Sequence, residues 1–165
     1  MGRKQAGATP GLRLLAASKV AHRVLEYDYD PQDGAIGLAA AEKLGIEPTR
    51  IFKTLILKVA DQLVVAVVPV SGNVDLKAVA TLCGQKHAEL AAAATVERST
   101  GMTVGGISPL GQRRRLPTII DQSAVAHSLI VVSAGRRGLQ VELSPQDLAQ
   151  LSAAEFGAIT VPGQR

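Results

Sequence analysis

The sequence predicts a mixed α/β domain of the α+β class with mainly antiparallel strand pairing, and three observations carry that reading. Two β-branched and aliphatic runs, Ile51 to Val59 and Leu63 to Val70, are separated only by Ala60-Asp61-Gln62, the pattern of a core hairpin. Further strand-like and helix-like segments follow one another without the regular alternation of a doubly wound sheet. Finally, 165 residues that are 47% hydrophobic and 19% charged suit one compact domain. Aromatic residues make up only 2%, so that core is built from Leu, Val, Ile and Ala.

Taken in order, residues 1–9 read as a flexible tail and residues 10–160 as a single domain. Leu12, Leu15, Ala16 and Val20 recur at helical spacing, which predicts a helix from Pro10 to Ala21 with Thr9 as N-cap and Pro10 in its first turn. Arg23 to Tyr29 alternates as a short strand does, then runs into an Asp-Pro turn and a loop reaching about Ala35. A second helix, Ile36 to Leu44, stops at Gly45. After the hairpin, Asn73 is placed to cap a helix running through Leu82 to Gly84, Lys86 to Leu90 is a brief strand, and Ala92 to Thr100 is a helix ended by Gly101. Strands are expected at Thr118 to Ile120, Leu129 to Ser133 and Leu139 to Leu143. Ser144, Pro145 and Asp147 then open a last helix.

Several classes of function are excluded or disfavoured. No apolar run approaches the roughly 18 residues that span a bilayer, and the N-terminal stretch lacks the apolar segment of a secretory signal. Cys83 is the one cysteine, so there is no internal disulfide and no thiolate cluster. A reducing cytoplasm fits. His22, His87 and His127 stand singly, without H-E-x-x-H or carboxylates at ligand spacing, so no metal is expected. The net charge of +4 is unevenly distributed: between Arg98 and Gly138 stand six Arg and one acid, Asp121, a net +5 against −1 for the rest. Such a segment suits a polyanion such as nucleic acid, and equally a solvated basic face.

Lys53 stands out first. Strand alternation puts it on one face with Ile51, Leu55, Leu57 and Val59, where an ammonium is costly unless it meets an anion or reaches water at the strand end. Gly101 to Gly111 contains Gly105-Gly106-Ile107-Ser108-Pro109, in which missing side chains let backbone amides approach a ligand or simply allow a tight connection. It is neither a P-loop nor G-x-G-x-x-G, so nucleoside triphosphate and dinucleotide binding find no support. In the second glycine turn, Ser133 to Gly138, the pair Arg136 and Arg137 suits either edge charges or phosphate contacts. Cys83 sits among apolar helix positions as an inert thiol, and no G-x-S-x-G elbow occurs.

Together the strings Phe52-Lys53-Thr54, VVAVVPVSG, TGMTVGGISPLGQRRRLP and VSAGRRGLQVELSPQDL, in this order and spacing, resemble the YbaK family of aminoacyl-tRNA deacylases over about Pro10 to Phe156. The resemblance implies a barrel-like mixed sheet flanked by helices. It makes Lys53 the key pocket lysine and Thr54 its strand neighbour, sets Tyr27 at the pocket mouth, and places Gly101, Ser133 and Gly135 around the aminoacyl group and terminal adenosine. Ile36 stands where relatives carry Phe, so the amino-acid preference of this chain is open. Arg113, Arg114, Arg115, Arg136 and Arg137 are the candidates for tRNA phosphates.

The implied activity is trans-editing of Cys-tRNA(Pro) without metal or cofactor, the bound cysteine thiol attacking its own ester, with prolyl-tRNA synthetase as an expected partner. Cleavage of Ala-tRNA(Pro) by water and a non-catalytic tRNA-binding module are the competing readings.

Overall fold

The computed structural model describes residues 9–163. The expected tail lies outside them except for Thr9, which is buried and whose Oγ1 accepts a hydrogen bond from the Leu12 amide. That cap starts α1 (Pro10–Ser18), which ends before the expected Ala21 because Lys19 turns left-handed at φ 59°. Strand β1 (Arg23–Glu26) is likewise shorter than expected, since its partner strand gives way to the turn at Gly138. α2 (Ile36–Leu44) closes at Gly45 as its sequence indicates.

β2 (Phe52–Val59) and β3 (Gln62–Pro69) form the expected hairpin, paired from Phe52 with Pro69 to Val59 with Gln62. The next segment departs from expectation. Asn73 lies in a three-residue strand, β4 (Gly72–Val74), and Asp75 caps α3 (Leu76–Leu82) instead, its carboxylate accepting from the Ala78 amide. Asx-type caps two residues apart are indistinguishable in sequence; the pairing of Asn73 with Val161 decides between them.

β5 (Ala88–Leu90), α4 (Ala93–Thr100), β6 (Thr118–Asp121), β7 (Ile130–Arg136), β8 (Leu139–Leu143) and α5 (Pro145–Ser152) follow close to their expected places. β9 (Glu155–Gly157) and β10 (Thr160–Pro162) were not legible beforehand; each is three residues long and largely exposed. β7 continues past Ser133 through a register irregularity to Arg136, so Ser133 and Gly135 lie in a bulged strand rather than in a turn.

The strands form a mixed five-stranded sheet, β5-β2-β3-β6-β9, a three-stranded sheet, β1-β8-β7, and the pair β10-β4. Antiparallel pairs predominate, with β3-β6 and β6-β9 parallel. The barrel-like expectation needs correction: among the described residues the ladders do not close into a ring, and a single parallel bridge, Ile51 with Val131, joins the two larger sheets. One face of the five-stranded sheet, with Phe52, Ile56, Val65, Val67 and Ile120, packs against β7, β8, α1 and α5. The other, with Leu57, Val59, Val64, Ala66 and Val68, packs against α3. α2 covers the junction through Ala40 and Ala41 against Ile51, Val70 and Val131.

Asp121 ties the C-terminal segment to this core. Its carboxylate accepts from the Ser123 amide and, 38 residues on, from the buried Ile159 amide. Burial pushes that carboxyl up, but hydrogen bonding from the Ser123 side chain, the Ile159 amide, the Thr160 side chain and the Ser123 amide together outweighs it and holds the group below its ordinary value. Asp121→Ala strands the Ile159 N–H and is expected to lower stability by about 1–3 kcal/mol in chemical denaturation. Because the folded-state value is depressed, the Asp121 contribution is present above the ordinary carboxylate range and fades as pH falls through the folded value. The difference between wild type and variant should shrink in acid.

Candidate active site

β5 pairs only with Leu57 to Val59 and β7 touches the start of β2 only through the Ile51–Val131 bridge, so no strand ladder covers Lys53 to Leu55 on that side. A cavity of about 1050 Å³ opens along this unpaired stretch, lined by Lys53, Thr54, Leu55 and Ile56 of β2 together with segments of α2, β4 and the 104–107 loop. The Ile56 carbonyl accepts from the Ala91 amide at the cavity's end. Two residues back along the pleat, the main-chain N–H and C=O of Thr54 face the same side, where no strand takes them up. The site is therefore bordered by an open strand edge.

Among the described residues Lys53 is the one ionisable side chain on the lining. It is half-buried, and among the described residues it has no ion-pair partner. Burial alone pulls its ammonium below the ordinary lysine value. The face it shares with Leu55, Leu57 and Val59 packs on α3 further along the strand, while Ile51 turns into the α2 cluster. Lys53 thus holds the place where the apolar face opens into the cavity. Thr54, next to it, is buried with an Oγ1 that no protein group satisfies. A buried hydroxyl without a partner is costly, which marks the position as suited to a ligand atom. Among the described residues the lining carries no carboxylate, His or Cys, so no carboxylate or imidazole base and no thiol nucleophile faces the space. Leu38, Leu90 and Val104 are exposed apolar side chains on its rim.

Of the other residues singled out in sequence, Ile36 and Ser133 line the cavity. Tyr27 does not: its ring packs behind the wall, in the cluster containing Ile51 and Val70. Gly101 and Gly135 also lie off the lining. The Gly101 amide closes α4 on the Glu97 carbonyl, and the Gly135 amide donates to Ser133 Oγ. Gly105, four residues on from Gly101, is on the lining at φ +93°. Gln140, opposite Ser133 in the β7-β8 register and buried, also lines the cavity, and nothing in its sequence context marked it.

The arginines divide. Arg113, Arg114, Arg115 and Arg137 are all exposed, but Arg113 donates to the Arg98 carbonyl across Gly101 and Arg137 to the Val104 carbonyl. Lys43 of α2 donates to the Asp28 carbonyl and to Asp33, pinning the 28–33 loop that leads into the wall. Cys83 lies outside the cavity at the end of α3, with burial pushing its thiol up.

A Cβ built on Gly105 would fall 2.7 Å from Ile36 Cδ1 and 2.9 Å from Arg137 Nε, so this wall is closed by contact. Gly105→Ala is strained at this left-handed position and displaces the ends of the Ile36 and Arg137 side chains; a loss of about 1–3 kcal/mol in stability and about tenfold in turnover is expected. Thermal melting and steady-state kinetics check it.

Residues 36–151 match the family model of the aminoacyl-tRNA editing domain. The chain is 38% identical over 154 residues to a protein of Enterococcus faecalis, EbsC, whose provisional name is Cys-tRNA(Pro)/Cys-tRNA(Cys) deacylase; the match covers 92% of this chain and 93% of that one. It is 30% identical over 101 residues to a proline–tRNA ligase of a Thermoanaerobacter species, covering 60% of this chain and 18% of the ligase. Among solved structures, a candidate trans-editing enzyme for prolyl-tRNA synthetase shares the fold with a TM-score of 0.77 at 21% identity, over 96% of this chain and 94% of that one.

Proposed function

This chain belongs to the aminoacyl-tRNA editing domain family, and from that premise we propose that it is a trans-editing deacylase that frees tRNA(Pro) from wrongly attached cysteine. The single observation that carries the reading is the half-buried, unpaired Lys53 in an otherwise uncharged cavity beside an open strand edge. Such a cation binds the phosphate or ester oxygens of an acylated 3′ end in a medium that strengthens the contact. The likeness to EbsC over nearly its whole length, and to part of a proline–tRNA ligase, supports the same substrate class.

Among the described residues the lining carries no carboxylate, imidazole or thiol, which favours a reaction in which the substrate brings its own nucleophile. The cysteine sulfur, as thiolate, attacks the ester carbonyl carbon. A C–S bond forms, the C–O bond to the ribose breaks, and the departing 3′ oxygen takes up a proton. A thiolactone and tRNA with a free hydroxyl result. The protein supplies proximity, with Lys53 anchoring the acylated end. Donors for the developing oxyanion come from the free amide edge at Thr54 and from the wall near Gly105, rather than from the occupied amides of Gly101 and Gly135. Ser133 and Gln140 are polar contacts for the adenosine or the aminoacyl group. Arg114 and Arg115 remain the candidates for tRNA phosphates, and prolyl-tRNA synthetase is the proposed partner that supplies tRNA selectivity.

The test is deacylation of tRNA(Pro) charged in parallel with cysteine or proline. Release of cysteine with proline left in place is expected; equal persistence of both esters sinks the proposal and leaves a binding module. A joint complex with the synthetase and charged tRNA, sought by pull-down, checks the partnership.

A further inference from the structure

Arg137 lies in the turn between β7 and β8, yet its guanidinium is committed to other segments. Nε and Nη2 both donate to the Val104 carbonyl, at 3.1 and 2.6 Å. Its carbon stands 5.1 Å from the centroid of the Tyr29 ring, within cation–π range. One side chain therefore ties together the β7-β8 turn, the 103–106 loop and the loop that leads through Tyr29 to Ile36. The last two supply facing parts of the cavity wall, Val104 and Gly105 on one side and Ile36 on the other.

Met102 and Ile107 fix the two ends of the 103–106 loop in the core, and between them few contacts place its tip. No helix or strand runs between Gly101 and Pro117, and the loop's own main-chain bond is a local one, Gly106 N–H to the Thr103 carbonyl. Gly106 is pressed so close to the turn that a Cβ there would lie 2.7 Å from the Arg137 main-chain nitrogen. The loop rests on the Arg137 backbone and is held from outside by the Arg137 side chain. A planar fork fits this double engagement, donating at its edge and stacking by its face, where a lysine would do one or the other.

We infer that Arg137 is a positioning residue that sets the width of the cavity between Gly105 and Ile36, and through it the size of the aminoacyl group accepted, rather than a contact to tRNA phosphate. This rests on the deacylase reading above. The residue acts through Val104 and Gly105 and touches no reacting atom.

The experiment compares wild type, Arg137→Ala and Tyr29→Leu on tRNA(Pro) charged with cysteine or with penicillamine, which is cysteine bearing two extra β-methyl groups and keeps the thiol. In Arg137→Ala the preference for cysteine in kcat/KM is expected to fall about tenfold, the order that a methyl-sized difference in a pocket commands. Tyr29→Leu moves it the same way by less, and both keep the wild-type salt dependence of tRNA binding. An unchanged preference, or a salt slope shallower by about one contact's worth, roughly 0.7–0.9, overturns the inference and makes Arg137 a phosphate ligand.

Should wild type cleave neither ester, the deacylase reading falls by itself. The clamp is then read by amide hydrogen exchange at residues 104–106, which must quicken in Arg137→Ala. Exchange that stays unchanged removes the clamp as well. Thermal melting of each variant confirms that a folded protein was compared.

Discussion

Lys53→Met is expected to lower deacylation of Cys-tRNA(Pro) by about 10²–10³-fold, the scale of losing one preorganised electrostatic contact, while raising the melting temperature. The two effects share a cause. An ammonium held half out of water with no anion beside it costs folding free energy, and burial alone depresses its proton affinity. Methionine has nearly the same length, fills the same apolar face and has no charge to desolvate. Activity lost together with stability would indicate a structural lysine, and activity retained would remove Lys53 from the site.

The pH dependence follows with a definite sign. A folded-state value below the ordinary 10.5 means that the unfolded chain binds this proton more tightly. Wild-type stability therefore gains as pH rises from the depressed folded value toward 10.5, and Lys53→Met lacks that gain. In the same interval Lys53 discharges, so binding of the acylated end weakens at a lower pH than an exposed lysine would dictate. Denaturant melts and tRNA affinity measured across the alkaline range should move in opposite directions in wild type.

The second large effect lies in the substrate. Replacing cysteine by serine or alanine on the same tRNA(Pro) is expected to slow release by about a thousandfold or more, because a well-placed intramolecular nucleophile is worth effective molarities of 10⁵–10⁸ M. Alanine has no side-chain nucleophile, and the serine hydroxyl, far less acidic than a thiol, stays protonated in a cavity whose described lining has no carboxylate or imidazole. The thiolactone released from the cysteinyl ester should be captured by an added amine before water opens it. Comparable rates for alanyl and cysteinyl esters, with no thiolactone trapped, would instead establish attack by water and leave the open amide edge at Thr54 to orient it.

Local signals were legible wherever they were long or chemically specific. The hairpin pairs eight residues on each side, Thr9 and Ser144 cap their helices through side-chain oxygens, and Gly45 and Gly101 end theirs in the left-handed conformation. The elements that escaped are three residues long and depend on partners far away: β4 exists because Thr160 to Pro162 pairs with it, and β9 because β6 has an edge to offer. Three residues carry too little periodicity to announce a strand.

For the site, sequence by itself determined the fold class, the family motifs and the position of one lysine on an otherwise apolar strand face. These follow from properties of single residues and their near neighbours: alternation, capping oxygens, glycine's tolerance of positive φ and the cost of a desolvated charge. Only the tertiary structure decided which glycine faces the cavity, that Tyr27 stands behind its wall, that Gln140 reaches it, and that Arg137 braces a loop. Those outcomes turn on contacts between segments about 30 to more than 100 residues apart, among them Arg137 with Val104 and Tyr29 and Gly105 with Ile36. No local pattern encodes such a meeting, because it exists only once β7, β8 and the 101–117 loop have been brought together by burying the core between them.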